Sequence, residues 1–113
     1  MIKGTFCRDE EGHLVSFQLT GHAGSGPYGE DIVCAAVSAL AISTVNGIEA
    51  LAGFTPEVEM DDLEGGYLAM TLKNVMNKEQ LNISQILLEN LLLGLQAIAL
   101  ENNEYVMIQT INQ

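Results

Sequence analysis

Apolar and polar residues alternate over 1–8 and again over 14–20. Ile2, Gly4 and Phe6 share one face of the first stretch, and Val15, Phe17 and Leu19 share one face of the second. A period of two is that of a strand buried on one side. Asp9, Glu10, Glu11 and Gly12 separate the stretches and are turn formers, so the pair reads as a hairpin. Residues 21–30 hold four glycines and a proline and read as a loop. The period then changes. Ile32, Val33, Val37, Leu40, Ile42, Val45, Ile48 and Leu51, with many alanines between them, predict a helix over 31–52 that is apolar nearly all round. Asp31 suits its cap or first turn, and Gly53 ends it.

A second hairpin follows, over 57–62 and 66–73. Val58 and Met60 are expected to face inward and Glu57, Glu59 and Asp61 to face water, with Leu68, Met70 and Leu72 continuing the core side. Asn77 with Gln80 three residues on reads as a capping box for a helix over 78–102. Its stripe is Leu81, Leu88, Leu91, Leu92, Leu95 and Ile98. Alternation over 104–112 predicts a last strand. The order ββαββαβ defines a single α+β domain, with a largely antiparallel sheet and two helices. A first helix apolar on several sides calls for a second copy of the chain to cover the extra face, so a homodimer is expected.

Charge narrows the partners. Fifteen Asp and Glu stand against four Lys and Arg in 113 residues, a net charge of −11. Direct nucleic-acid binding is not expected, because no cationic surface can replace counterions. The balance suits a basic peptide or protein, and it also serves solubility alone. Cys7 and Cys34 are too few for a disulfide framework. No basic segment followed by an apolar one opens the sequence, so a cytoplasmic location is expected and the Asn82-Ile83-Ser84 sequon carries no meaning. No membrane span is expected either, since Gln85, Glu89, Asn90 and Gln96 interrupt the second helix.

The candidate chemistry lies in one segment, GHAGSGPYGEDIVCAAVSAL, residues 21–40. Cys34 falls near the expected helix start, where the dipole and free N–H groups favour thiolate. His22, twelve positions earlier, can accept the thiol proton and return one to a leaving amine. Against this stand the common roles of each residue type: free cysteine is often simply buried, and a lone histidine is often a satisfied strand end. Asp31 and Ser38 lie at i−3 and i+4 from Cys34, on its helical face. Asp31 could orient His22 or cap the helix, and Ser38 could bond near the thiol or to its own i−4 carbonyl. Backbone N–H groups at the helix start, that of Cys34 included, could meet an oxyanion. Gly21, Gly24, Gly26 and Gly29 give the loop the freedom of a lid, Pro27 restricts it, and Tyr28 could touch substrate. His13 belongs to the first hairpin turn and Cys7 to packing. Cys7, His13, His22 and Cys34 have no close ligand pair, so neither metal nor cofactor is expected.

The same segment resembles the ribosomal-processing cysteine proteases, the Prp family. Gly21, His22, Ala23, Gly29, Asp31, Ile32, Val33, Cys34, Ala35, Ala36, Val37 and Ser38 all match its signature, and the likeness extends over the chain. The resemblance implies a cysteine endopeptidase with His22 and Cys34 as its dyad. It implies a substrate too: the N-terminal extension of the bacterial large-subunit ribosomal protein numbered twenty-seven, ending in Leu-Phe-Ala or Phe-Phe-Ala. The family's homodimers agree with the over-apolar first helix. Two other readings stand beside this one: a non-catalytic ribosome-assembly factor that binds the same basic tail, and a different thiol activity such as acyl transfer or redox sensing. A redox role would need Cys7 as the resolving thiol.

Overall fold

A computed structural model describes residues 1–21, 28–61 and 66–113, with only the backbone for 28–31. The chain runs β1 (Ile2–Arg8), β2 (Leu14–Thr20), α1 (Tyr28–Gly47), β3 (Glu57–Asp61), β4 (Tyr67–Thr71), α2 (Lys78–Glu101) and β5 (Val106–Asn112). The expected ββαββαβ order is the observed one. The five strands form one sheet in the order β3-β4-β2-β1-β5. Every neighbouring pair is antiparallel except β1 with β5, which is parallel. Both helices lie on one face of the sheet, making two layers.

The core fills the space between those layers. Phe6 and Phe17 stack with ring centroids 5.4 Å apart, and Leu14, Met70, Leu88 and Leu95 close around them. Aromatic pairs at this separation add to plain area burial. The box at the start of α2 is reciprocal: the Gln80 backbone N–H donates to Asn77 Oδ1 at 2.8 Å, and the Asn77 N–H donates to Gln80 Oε1 at 3.0 Å. That satisfies two donors the helix itself leaves free.

Four expectations need correction. First, α1 begins at Tyr28, three residues before the expected start, and continues through a π-helical turn at Ile48–Ala52 to Gly53, whose φ of 78° ends it. Second, Val15 does not share the inward face of β2. The pairing shifts between Cys7↔Ser16 and Arg8↔Leu14, so Val15 is an extra residue in a bulge and Leu14 takes the buried position. Third, Val58 and Met60 point to the helix side of β3 but stay 38% and 57% exposed, because β3 is an edge strand that the helices do not cover. Fourth, both helices are long and apolar enough to cross a membrane by length and composition, over Ile32–Ala52 and Lys78–Glu101. Here each lays one face on the sheet, and Val37, Ala41, Leu88 and Leu92 are buried there.

The bulge is held from the other layer. The Leu14 N–H donates to Gln85 Oε1 at 2.8 Å, and Gln85 Nε2 donates to the Leu14 carbonyl at 2.7 Å. The side-chain amide thus supplies both bonds that a neighbouring strand would give. One helical turn on, Glu89 receives Arg8 in a two-pronged pair at 2.7 and 3.0 Å, and Arg8 also donates to the Gly12 carbonyl at 2.9 Å. The Arg8 hydrogen bonds hold the Glu89 carboxyl below its ordinary range.

Candidate active site

Met1, Gly21, Gly66 and Tyr105 meet at one end of the sheet. The Gly21 N–H donates to the Gly66 carbonyl at 3.0 Å, and the Ile2 N–H donates to the Tyr105 carbonyl at 2.8 Å. Gly21 has φ +84°, and a Cβ there would fall on the Met1 carbonyl oxygen. Only glycine fits both the left-handed backbone and that approach.

A cavity of about 540 Å³ opens beside this junction, between α1 and the sheet. Cys34, Ser38 and Ile42 form its helix wall, one residue per turn. Leu19 and Leu68 make the floor, Met60 faces the helix from β3, and Asp61, Gly66 and Tyr67 complete the lining. Cys34 is half-buried and unbonded to the other cysteine, and it packs against the core.

The helix boundary changes the expected electrostatics. Cys34 is the seventh residue of α1, not part of its first turn. Its N–H therefore belongs to the helical ladder rather than to the free groups of residues 28–31, and the dipole effect fades over that distance. The Cys34 N–H is accordingly no longer available as an oxyanion donor. Asp31 is the fourth helical residue, so it sits in the first turn and does not cap. Ser38 is exposed. Among the described residues no hydrogen-bond partner meets its hydroxyl, whereas Thr44 donates to its own i−4 carbonyl, Leu40, at 2.9 Å.

Of the remaining candidates, Gly21 lies on the cavity rim. Tyr28 and Gly29 are the first two residues of α1 rather than part of a loop. His22, Gly24 and Gly26 lie outside the described residues, as does the proposed lid over most of its length. His13 is at the far end of β2, beside Asp9 and Glu11 at 3.8 and 3.9 Å. A seven-residue strand separates it from Gly21, about 24 Å at ~3.4 Å per residue. Cys7 is not a core residue. It lies on the helix-free face of the sheet with Thr5, Ser16 and Gln18, so the sheet stands between it and Cys34.

Sequence reasoning did not find the rest of the cavity. Ile42 was within reach, as i+8 from Cys34 on the same helical face. Met60 and Tyr67 were not, since strand pairing alone brings them to the site (Asp61↔Tyr67, Met60↔Leu68).

A half-buried thiol lining an apolar cavity, beside a strand end pinned by glycine, fits the class of thiol-dependent peptidases. Relatives agree. Residues 1–107 match the family model for cysteine protease Prp. Ribosomal processing cysteine protease Prp of Bacillus subtilis is 31% identical over 110 residues, covering 97% of each chain. The Staphylococcus aureus protein of the same name is 35% identical over 108 residues, covering 96% of this chain and 97% of its own. Among solved structures, SMU.848 from Streptococcus mutans superimposes with a TM-score of 0.90 at 45% identity, covering 100% of this chain and 96% of its own. The S. aureus Prp in complex with a covalently linked product peptide gives 0.82 at 33%, covering 98% of this chain and 100% of its own. The chain belongs to the cysteine protease Prp family.

Proposed function

We propose that this cysteine protease removes the N-terminal extension of the large-subunit ribosomal protein numbered twenty-seven, with Cys34 as nucleophile and His22 as its base. The observation that carries the reading is that Cys34 lines an apolar cavity together with Gly21, the residue before His22. His22 takes the thiol proton, the thiolate attacks the scissile carbonyl, and the amine leaves with a proton from the imidazolium. Water then releases the acyl group from sulfur. With Cys34 in the second helical turn, activation rests more on His22 than on the helix dipole. Asp31 and Ser38, at i−3 and i+4 from Cys34, are its supporting residues. The net charge of −11 attracts the basic mature tail exposed by the cut. The enzyme acts in the cytoplasm as a homodimer, covering apolar residues that the fold leaves exposed, among them Leu40 on α1 and Leu93 on α2.

The test is Cys34→Ala against the extended ribosomal protein, with products read by mass spectrometry. Cleavage is expected to vanish while the circular dichroism spectrum and sedimentation coefficient stay unchanged. Near-normal turnover by the pure variant refutes the reading. Tight binding of the tail by a wild-type protein that never cuts it would favour the non-catalytic assembly factor.

A further inference from the structure

Attack on a scissile carbonyl puts negative charge on its oxygen, and a peptidase needs a hydrogen-bond donor about 2.7–3.1 Å from that oxygen. The Cys34 N–H is spent in the helical ladder. The free N–H groups of α1 belong to its first four residues, 28–31, and the last of these lies about 4.5 Å short of Cys34 along the axis. Ser38 is on the other side of the thiol, one turn on, and lines the same cavity. Its hydroxyl is exposed and makes no hydrogen bond among the described residues. A helical hydroxyl without other work commonly closes on its own i−4 carbonyl, and Thr44 of the same helix does so with Leu40 at 2.9 Å. Side chains at i and i+4 start about 5–6 Å apart at Cβ. That span fits one oxygen, carried on the carbon that sulfur attacks and accepting from a hydroxyl about 2.8 Å away. Tyr67 has the only other hydroxyl in the lining among the described residues, and it also borders the helix-free face of the sheet with Ala69 and Thr71.

We infer that the Ser38 hydroxyl is an oxyanion donor of this active site and thus a catalytic residue. The assignment rests on Cys34 being the nucleophile. The thiolate forms the carbon–sulfur bond while the carbonyl π pair moves onto oxygen. That oxygen accepts a hydrogen bond from Ser38, whose proton stays on the hydroxyl. The pair then returns, the carbon–nitrogen bond breaks, and the amine leaves with the proton held by His22. Water next attacks the thioester and gives its proton to His22, which charges the same oxygen a second time. The pair returns again, the carbon–sulfur bond breaks, and the thiolate is restored. One hydroxyl therefore serves both halves of the reaction, whichever of them limits the rate. A peptide seated in the cavity keeps water from this bond, where a fixed donor is worth most.

The experiment compares Ser38→Ala, Ser38→Thr, Tyr67→Phe and Thr44→Ala with the wild type on a peptide spanning the Phe-Phe-Ala cut. Ser38→Ala is expected to lose about 100-fold in kcat with KM changed by no more than about two-fold, the loss that one oxyanion donor brings. Ser38→Thr restores a hydroxyl and is expected to recover to within about 10-fold of the wild type. Thr44→Ala removes a hydroxyl bonded to the helix's own carbonyl and keeps the wild-type rate. Alkylation of Cys34 by iodoacetamide forms no oxyanion. Its rate and pH profile are therefore expected to be the same in Ser38→Ala as in the wild type. Ser38 is exposed, so the fold tolerates the change, and thermal melts check it. A normal kcat for Ser38→Ala overturns the assignment while the peptidase stands. An alkylation profile moved to higher pH in Ser38→Ala does the same, since Ser38 would then be a partner of the thiolate. A loss of about 100-fold confined to Tyr67→Phe gives the role to Tyr67 and overturns it too. If the wild type leaves both the peptide and the extended ribosomal protein uncut, the peptidase reading falls and the assignment with it.

Discussion

Gly21→Ala separates two costs that the fold imposes on one residue. The first is the left-handed backbone at φ +84°, which costs an L-residue about 1–2 kcal/mol. The second is the Cβ that would fall on the Met1 carbonyl oxygen. That carbonyl cannot simply move aside. It shares a peptide plane with the Ile2 N–H, which is bonded to the Tyr105 carbonyl at 2.8 Å, and Ile2 is buried. Forcing such a junction apart costs about 1–3 kcal/mol, as overpacking does. Gly12→Ala is the control, since Gly12 has φ +89° and nothing within 4 Å of an added Cβ. Gly12→Ala should therefore lose about 1–2 kcal/mol and keep full activity. Gly21→Ala should lose a further 1–3 kcal/mol or so, roughly 4–12 °C beyond the control for a domain of this size. It should also lower kcat/KM, because Gly21 lies on the rim of the cavity. Denaturant titration, thermal melts and peptide cleavage on both variants read these quantities. Equal destabilisation of the two would refute the close approach as a structural constraint.

Two further outcomes follow from the clamp on the first hairpin. Gln85→Leu leaves both backbone groups of Leu14 without partners and should cost about 2 kcal/mol, seen as a fall of roughly 8 °C in Tm. An unchanged melt for Gln85→Leu would refute the clamp. Glu89→Gln tests the ion pair. The carboxyl is held below its ordinary 4.5 by the Arg8 hydrogen bonds first and by its charge second, with burial opposing. A depressed carboxyl stabilises fully above the unfolded-state value and loses that contribution as pH falls through the folded one. The difference between wild type and variant should hold at pH 7 and close as the pH drops below 4.5. The Glu89 side chain is 44% exposed, so the whole difference should stay under about 1 kcal/mol. A gap that widens toward acid would refute the assignment.

The element order was legible because each element is written locally: a period of two for the strands, an apolar run closed by Gly53 for α1, and Asn77 with Gln80 for α2. What escaped was set by neighbours. An alternating pattern says which side of β3 is apolar but not whether anything covers it, so Val58 and Met60 read as core. The bulge at Val15 depends on one extra residue matched against β1, and nothing in the local composition of β2 marks it. The start of α1 was misplaced because Gly29 and Tyr28 look like loop residues, although a helix with packed later turns can carry a weak first one. The helical spacing of Cys34, Asp31 and Ser38 could be read directly, and the far wall could not, since it arrives through the pairing of β3 with β4.

The parallel pairing of β5 with β1 has a practical side. It sends the two chain ends to opposite ends of the sheet. Ile2 lines the cavity, while the Gln113 N–H bonds the Arg8 carbonyl at the far end of β1. An affinity handle joined ahead of Met1 would leave from the mouth of the cavity, where it could thread along the wall as a tethered ligand at high effective concentration. A handle after Gln113 would leave about 24 Å away. Kinetics measured on the first kind of protein would understate the affinity for added peptide, and the carboxyl-terminal handle gives the preparation to use for assays.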